Sequence, residues 1–416
     1  MILIYSFLLK LYRLAIGVTS LFSQKASLWI VGRKGWRNQV SEALKDIQSQ
    51  PIWIHVSSVG EYEQGKPVLD ALKLKYPNAP IVLTFFSPSG YELLKEKTQA
   101  DYVFYLPLDG RNNSKIFLDL INPKAAVFIK YEFWYFYFNE LYKRGIPFVL
   151  ISAKLRPEQF FFQWYGKSYQ KIFKLPSYYF VQDVETKRLL NQIGITKVSI
   201  TGDTRIDRVA EILRENQKDK IVESHIKSDK VLILGSAWAE ELDMLSNFLN
   251  QNNVSGWKFI IAPHEISETK INSFEKSLNI LSLRYTLQSN DKVDEDVPVL
   301  IVDCIGKLKH FYKYGNAAFI GGGFGSSIHN ILEPVVFGLP VIFGPNHHKF
   351  PEAKTLIGAG GAFVVNNQNE LEVRLNDLMK SSKSLDESSK ACKSFINDNL
   401  GATEKIMVEL EKIFNV

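Results

Sequence analysis

"FIGGGFGSSIHNILEPVVFGLPVIFGP", residues 319 to 345, runs from a strand-like apolar stretch into three glycines, a polar turn, a helix-like stretch and a second apolar run. Gly321, Gly322 and Gly323 allow backbone N–H groups to turn toward an anion, and a helix starting near His329 adds unpaired donors and a positive dipole end. A phosphate is the expected guest. Asn330 and Glu333 lie three apart on the first helical turn, where Glu333 can accept hydrogen bonds from both hydroxyls of a ribose. Pro334 falls where a missing N–H costs little, and Gly338 is placed to end the helix before "PVIFG". The stretch predicts a nucleotide-binding α/β unit, although a Gly-rich turn can also simply join a strand to a helix.

The same alternation extends in both directions. Toward the N-terminus of this stretch come "VLILGS" at 231, "KFIIAP" at 258 and "PVLIVD" at 298; after it come "GAFVV" at 361 and a helix-like tail from about 384 to 414. An earlier series, "IWIHV", "IVLTFF", "AAVFIK", "PFVLIS" and "YYFVQ", fills residues 50 to 205, again with helical stretches between. Short apolar runs alternating with helices read as βα units and a mainly parallel sheet covered on both faces. Residues 206–229 are charged, lack Gly and Pro, and suit a connector. The expected organisation is an N-terminal segment 1–31, a Rossmann-like domain 32–205, the linker 206–229, and a second Rossmann-like domain 230–416 that includes the C-terminal helix. Two such halves facing across a cleft would hold a ligand at the carboxyl ends of their strands.

Composition narrows the classes. With 416 residues, 46% hydrophobic, the chain can bury large cores, and 50 Lys+Arg against 44 Asp+Glu leave no concentrated basic footprint for nucleic acid. The two cysteines, Cys304 and Cys392, have neither disulfide-framework nor zinc spacing. His264-Glu265 lacks the second histidine of H-E-x-x-H, so no metal is expected. The first 31 residues are apolar but interrupted by Lys10 and Arg13, which share a helix face. Leu3, Phe7, Leu8, Leu11 and Leu14 could enter the acyl region while those cations snorkel, and Trp29, Arg33, Lys34, Trp36 and Arg37 supply interfacial groups. The alternative is a buried helix docked on its own domain.

At "WIHVSSVGEYEQGKPVLDAL", residues 53 to 72, a strand passes through a small polar turn into a helix with Glu61 at the join. Gly60 would free the backbone to turn, leaving Glu61 at the sheet's carboxyl edge. A helix start favours its anion and burial opposes it, and the sequence does not decide between them. An acidic residue in a first turn can also simply complement the dipole.

Taken in order, "HVSSVGE", "KYEFW", "VQDVET", "TGDTRID" and "GGGF…HNILEP…GPNHHKF" resemble 3-deoxy-D-manno-octulosonic acid (Kdo) transferase over almost the whole chain. The resemblance implies a GT-B fold with a membrane-anchoring N-terminal helix. It also implies inverting, metal-independent transfer of Kdo from CMP-Kdo to a lipid A precursor (lipid IVA), at the cytoplasmic face of the inner membrane, in lipopolysaccharide inner-core synthesis. By position, Glu61 matches the family's proton acceptor, and Glu132 and Arg205 match the places linked to transition-state stabilisation. The CMP contacts would fall on Pro263, His264, Ile305, Gly306, Lys307, Gly322, Gly323, Asn330, Ile331, Leu332 and Glu333. The chain departs from the family pattern at Lys130, where a second acid is common, at Arg205, where lysine is common, and at Ala262-Pro263-His264, where Pro-Arg-His is common. Its glycine loop is also about one residue shorter after Gly322.

Inverting transfer needs one base to take the proton of the attacking hydroxyl, and CMP leaves with developing negative charge that Arg205, Lys307 and His264 could offset. Glu132, among "YEFWYFYF", needs a partner such as Lys130 or Arg205, and the aromatic run 131–138 reads as core or a lipid-side wall. Alternatives are another nucleotide-sugar enzyme, such as a 2-epimerase, or a non-catalytic membrane-bound nucleotide-sugar binding module.

Overall fold

The computed structural model describes residues 2–130, 132–215, 217–227, 229–252, 255–288, 293–294 and 296–414. Tyr131 of "KYEFW", Asn216 and Ser228 of the expected linker, and the terminal residues Met1, Asn415 and Val416 lie outside the described residues. The chain divides into two compact units, Met1–Arg208 with Leu400–Val416, and Val209–Asn399.

Among the described residues, seven parallel strands form the sheet of the first unit: β1 (Ile52–Val56), β2 (Ile81–Phe85), β3 (Tyr102–Tyr105), β4 (Ala125–Ile129), β5 (Phe148–Ala153), β6 (Tyr178–Val181) and β7 (Val198–Ile200). Their order is β3-β2-β1-β4-β5-β6-β7, so the winding reverses between β1 and β4. The fully buried "IWIHV" shows how the layers arise. Ile52, Ile54 and Val56 enter one core and Trp53 enters the other, because successive strand side chains point to opposite faces.

The C-terminal helix, Ala402–Phe414, corrects the sequence reading. Its Ile406, Met407, Leu410 and Phe414 share a core with Val68, Leu69 and Leu72 of the helix Val59–Lys75, so it belongs to the first unit. An apolar stripe at helical spacing shows that a helix packs, not which sheet it packs on.

The N-terminal helix, Ile2–Thr19, has no buried residue, and Leu3, Phe7, Leu8, Leu11 and Leu14 are exposed, unlike a docked core helix. Trp29 and Arg33 are not lipid-facing as expected. Trp29 is buried, and the Arg33 guanidinium lies 4.1 Å from its ring while donating to the carbonyls of Phe86 and Leu106. A desolvated guanidinium needs such partners, and this one is spent on packing. Trp36 likewise packs against Phe117, leaving Lys34 and Arg37 exposed.

The second unit holds β8 (Lys230–Ala237), β9 (Trp257–Pro263), β10 (Ser282–Arg284), β11 (Val299–Ile301), β12 (Ala317–Ile320), β13 (Val341–Phe343) and β14 (Ala362–Val364). All run parallel in the order β10-β11-β9-β8-β12-β13-β14, with the reversal between β8 and β12.

Candidate active site

In open parallel sheets the ligand crevice lies beyond the carboxyl ends of the strands, where the winding reverses. In the first unit that point is the β1/β4 junction, and the loops leaving those strands carry Glu61 and Glu132.

Ser58 caps the helix Val59–Lys75 by accepting from the Glu61 N–H, and the Glu61 carboxylate reaches back to accept from the Ser57 N–H at 2.5 Å. This Ser58…Glu61 pairing is a close relative of a capping box. Gly60 is helical, and a Cβ there would meet nothing within 4 Å, so the expected turn is not why it is glycine. Glu61 is only 8% exposed, and burial, reinforced by the nearby Glu132 charge, raises its pKa to about 8. Desolvation therefore outweighs the helix start and the Ser57 donor.

Glu132 behaves differently. Burial acts to raise its pKa, but the His55 hydrogen bond and charge, with donors from Ser57 and Trp134, outweigh it and hold the carboxyl below the ordinary range. His55 Nε2 lies 3.7 Å from the Glu132 carboxylate. Trp134 Nε1 lies 3.0 Å from His55 Nε2 on the same side of the ring. On the other side, His55 Nδ1 is hydrogen-bonded to Thr84 Oγ1 at 2.9 Å, and Thr84 Oγ1 also accepts from Trp53 Nε1–H. His55, which sequence reasoning missed, is thus a partner of Glu132. The two carboxyls are pushed in opposite directions, Glu61 up and Glu132 down, so Glu61 is the one that holds a proton near neutrality.

Arg205 is in a two-pronged bond to Asp203, with Nε at 3.0 Å and Nη2 at 2.7 Å. Asp203 also accepts from Gln64, and Thr204 bonds the Gln64 carbonyl, so "TGDTRID" is tied one turn beyond Glu61 on the same helix. Arg205 is thus a cation held by Asp203, on a segment tied to the helix that carries Glu61.

In the second unit the reversal point gathers the ends of β8, β9 and β12. Beyond β12, Gly322 has φ +89°, and a Cβ on Gly321 would lie 2.2 Å from the Ser236 carbonyl oxygen. Glu241, buried and unforeseen, accepts from the Gly322 N–H at 2.7 Å and from the Trp238 N–H at 2.7 Å. It fixes the glycine turn against the start of the helix after β8. His264, after Pro263, stacks between Trp238 (centroids 4.0 Å) and His329 (4.8 Å), making a three-ring platform. Burial, with His264 beside it, pushes the His329 pKa down, consistent with a neutral ring accepting from Trp238 Nε1.

The helix expected near His329 begins at Leu332 and ends at Val336, too short for a substantial dipole. Asn330 precedes it, donating to Glu333 at 3.0 Å and accepting from the Leu332 N–H. The Ile331 and Leu332 side chains are buried in the core, which leaves only their backbone for a ligand. Ile305 is 92% exposed, Gly306 has φ +90°, and Lys307 is 3.7 Å from Asp219, which also accepts from the Tyr285 hydroxyl. Among the described residues, no three His, Cys, Asp or Glu side chains gather as metal ligands.

A family model described as 3-deoxy-D-manno-octulosonic-acid transferase (kdotransferase) matches residues 33–208. The 3-deoxy-D-manno-octulosonic acid transferase of Aquifex aeolicus is 30% identical over 349 residues, 83% of this chain and 90% of that protein. The chain belongs to the Kdo transferase family. The Haemophilus influenzae Kdo transferase is 28% identical, with 86% of each chain covered. As a family member the protein is a glycosyltransferase of GT-B fold.

Solved structures of similar fold include the Neisseria meningitidis UDP-GlcNAc 2-epimerase (TM-score 0.62, 16% identity, covering 87% of this chain and all of that one). A putative UDP-N-acetylglucosamine 2-epimerase from Listeria monocytogenes matches at TM-score 0.60 with 13% identity, covering 88% of this chain and 97% of that one. At these identities the likeness is one of fold, and the sequence relationship decides for the transferase over the epimerase.

Proposed function

We propose that this Kdo transferase moves Kdo from CMP-Kdo to a hydroxyl of a lipid A precursor, lipid IVA, with inversion and without a metal ion, and that Glu61 is its base. The observation that carries this is the carboxyl pair at the β1/β4 reversal. Burial poises Glu61 to give up its proton near pH 8, while Glu132 stays ionised on the His55 network. A base whose pKa lies close to the working pH is the most effective. Once ionised, Glu61 takes the acceptor's proton as the acceptor oxygen bonds the anomeric carbon. The bond from that carbon to the phosphate breaks, and its electron pair leaves with CMP. In the second unit the His264 platform, the Lys307 ammonium and the glycine-turn N–H groups are the CMP and phosphate contacts, the ammonium and the N–H groups offsetting the leaving charge. Arg205, fixed by Asp203, and Glu132 stabilise the transition state.

The exposed apolar face of Ile2–Thr19, whose mean hydropathy is 1.6, supports placement at the inner membrane's cytoplasmic surface, in lipopolysaccharide inner-core synthesis. The test incubates the purified chain with CMP-Kdo, generated in situ, and a tetraacylated lipid A precursor, with and without EDTA, and reads products by mass spectrometry. A mass gain of one or more Kdo units that survives EDTA is expected. No gain, or release of CMP without lipid modification, rejects the proposal.

A further inference from the structure

A cavity of about 630 Å³ opens between the N-terminal helix and two aromatic segments of the first unit. Leu9 and Tyr12 of the helix, Phe133 and Tyr135 after β4, and Phe161 and Ile172 form its walls. The volume suits a small-molecule site, but walls of this kind would leave the hydroxyls of a sugar or nucleotide unpaired; they suit hydrocarbon. Trp164 and Tyr165, beside it, are 82% and 59% exposed, and the outer face of the helix is apolar, so the cavity adjoins a surface fit for a bilayer interface.

Its position selects the hydrocarbon. Glu132 and Trp134 contact His55, while their neighbours Phe133 and Tyr135 line the cavity, so alternate residues of one loop serve the two places. The helix is tied to the first turn of the helix that follows this loop, Tyr135–Lys143: the Tyr5 hydroxyl donates to Asp109 at 2.7 Å, and Asp109 also accepts from the N–H groups of Phe136 and Tyr137. A chain lying in this cavity brings the polar group it hangs from to the carboxyl pair, a placement that serves the acceptor and does nothing for a bulk lipid. We infer that the cavity seats one acyl chain of the lipid acceptor. This rests on the reading of a lipid acceptor given above.

The test uses the full chain in phospholipid nanodiscs with two acceptors, the tetraacylated disaccharide phosphate and its deacylated form. Leu9→Trp fills the cavity, and Leu9→Met is the conservative control. Excluding two or three methylenes should lower kcat/KM for the acylated relative to the deacylated acceptor roughly ten- to fifty-fold, through KM, in Leu9→Trp but not Leu9→Met. A second measurement needs no variant: an acceptor bearing a diazirine at one acyl terminus should label the wild-type segments 2–12 or 160–172, and unlabelled acceptor should suppress labelling. An unmoved specificity ratio overturns the inference, as does labelling confined to other segments. Equal labelling by a diazirine phospholipid that the acceptor cannot displace also overturns it. Wild-type turnover is measured first, so its absence on the acylated acceptor rejects the functional reading along with the cavity, whereas normal turnover with an unmoved ratio rejects the cavity alone.

Discussion

Replacing Glu61 by glutamine keeps the shape of the side chain and an oxygen for the Ser57 N–H but removes the charge. Burial raises the folded-state pKa of Glu61 to about 8 from an ordinary 4.5. The folded protein therefore holds this proton where the unfolded chain has released it. The stability linked to the protonated form is fully present below about pH 4.5 and is lost as pH rises through about 8. At ~1.4 kcal/mol per pKa unit, and with part of the cost shared with Glu132, ionising Glu61 costs the fold roughly 3–5 kcal/mol. Glu61→Gln should match the wild type at pH 5 and exceed it by about that amount at pH 9. Urea unfolding followed by tryptophan fluorescence, at pH values from 5 to 9, measures the divergence. Curves that stay parallel across the range would refute the claim that burial controls this carboxyl.

Three further outcomes follow from the same geometry. In the wild type, kcat/KM should rise with pH toward an inflection near 8 as Glu61 ionises, and a profile flat from pH 6 to 9 would exclude Glu61 as the base. Glu241→Ala leaves the buried N–H of Gly322 and the part-buried N–H of Trp238 without this acceptor; about 1–3 kcal/mol of stability should be lost, and CMP affinity measured by calorimetry should fall with it. Phe7→Glu with Leu11→Glu places two charges on the exposed face of the first helix, and co-sedimentation with anionic vesicles should weaken by roughly tenfold or more.

Much of the fold was legible because buried parallel strands are short, continuous apolar runs. The strands that escaped notice, β3, β7 and β10, are all sheet edges, and most of their residues are only partly buried. An edge strand of three or four residues needs little apolar sequence to persist, and so it leaves little trace. Among site residues, Glu61 was legible because strand, turn and helix are contiguous there. His55 was visible only as a polar residue in an apolar strand; its meaning depends on Thr84 and Trp134, 29 and 79 residues away. Glu241 lies 81 residues from the glycine turn it fixes, and no local pattern announces that bond. The placement of the C-terminal helix was unreadable for the same reason: periodicity shows the face to be buried, not the partner that buries it.

The most direct measurement is a single-turnover reaction of Glu61→Ala with CMP-Kdo and the tetraacylated acceptor, beside a separate titration of CMP. Transfer should slow by roughly 10²–10⁴-fold, the usual contribution of a general base, while the dissociation constant of CMP stays within about a factor of two. Transfer within tenfold of the wild-type rate would contradict the assignment of Glu61 as the group that takes the acceptor's proton.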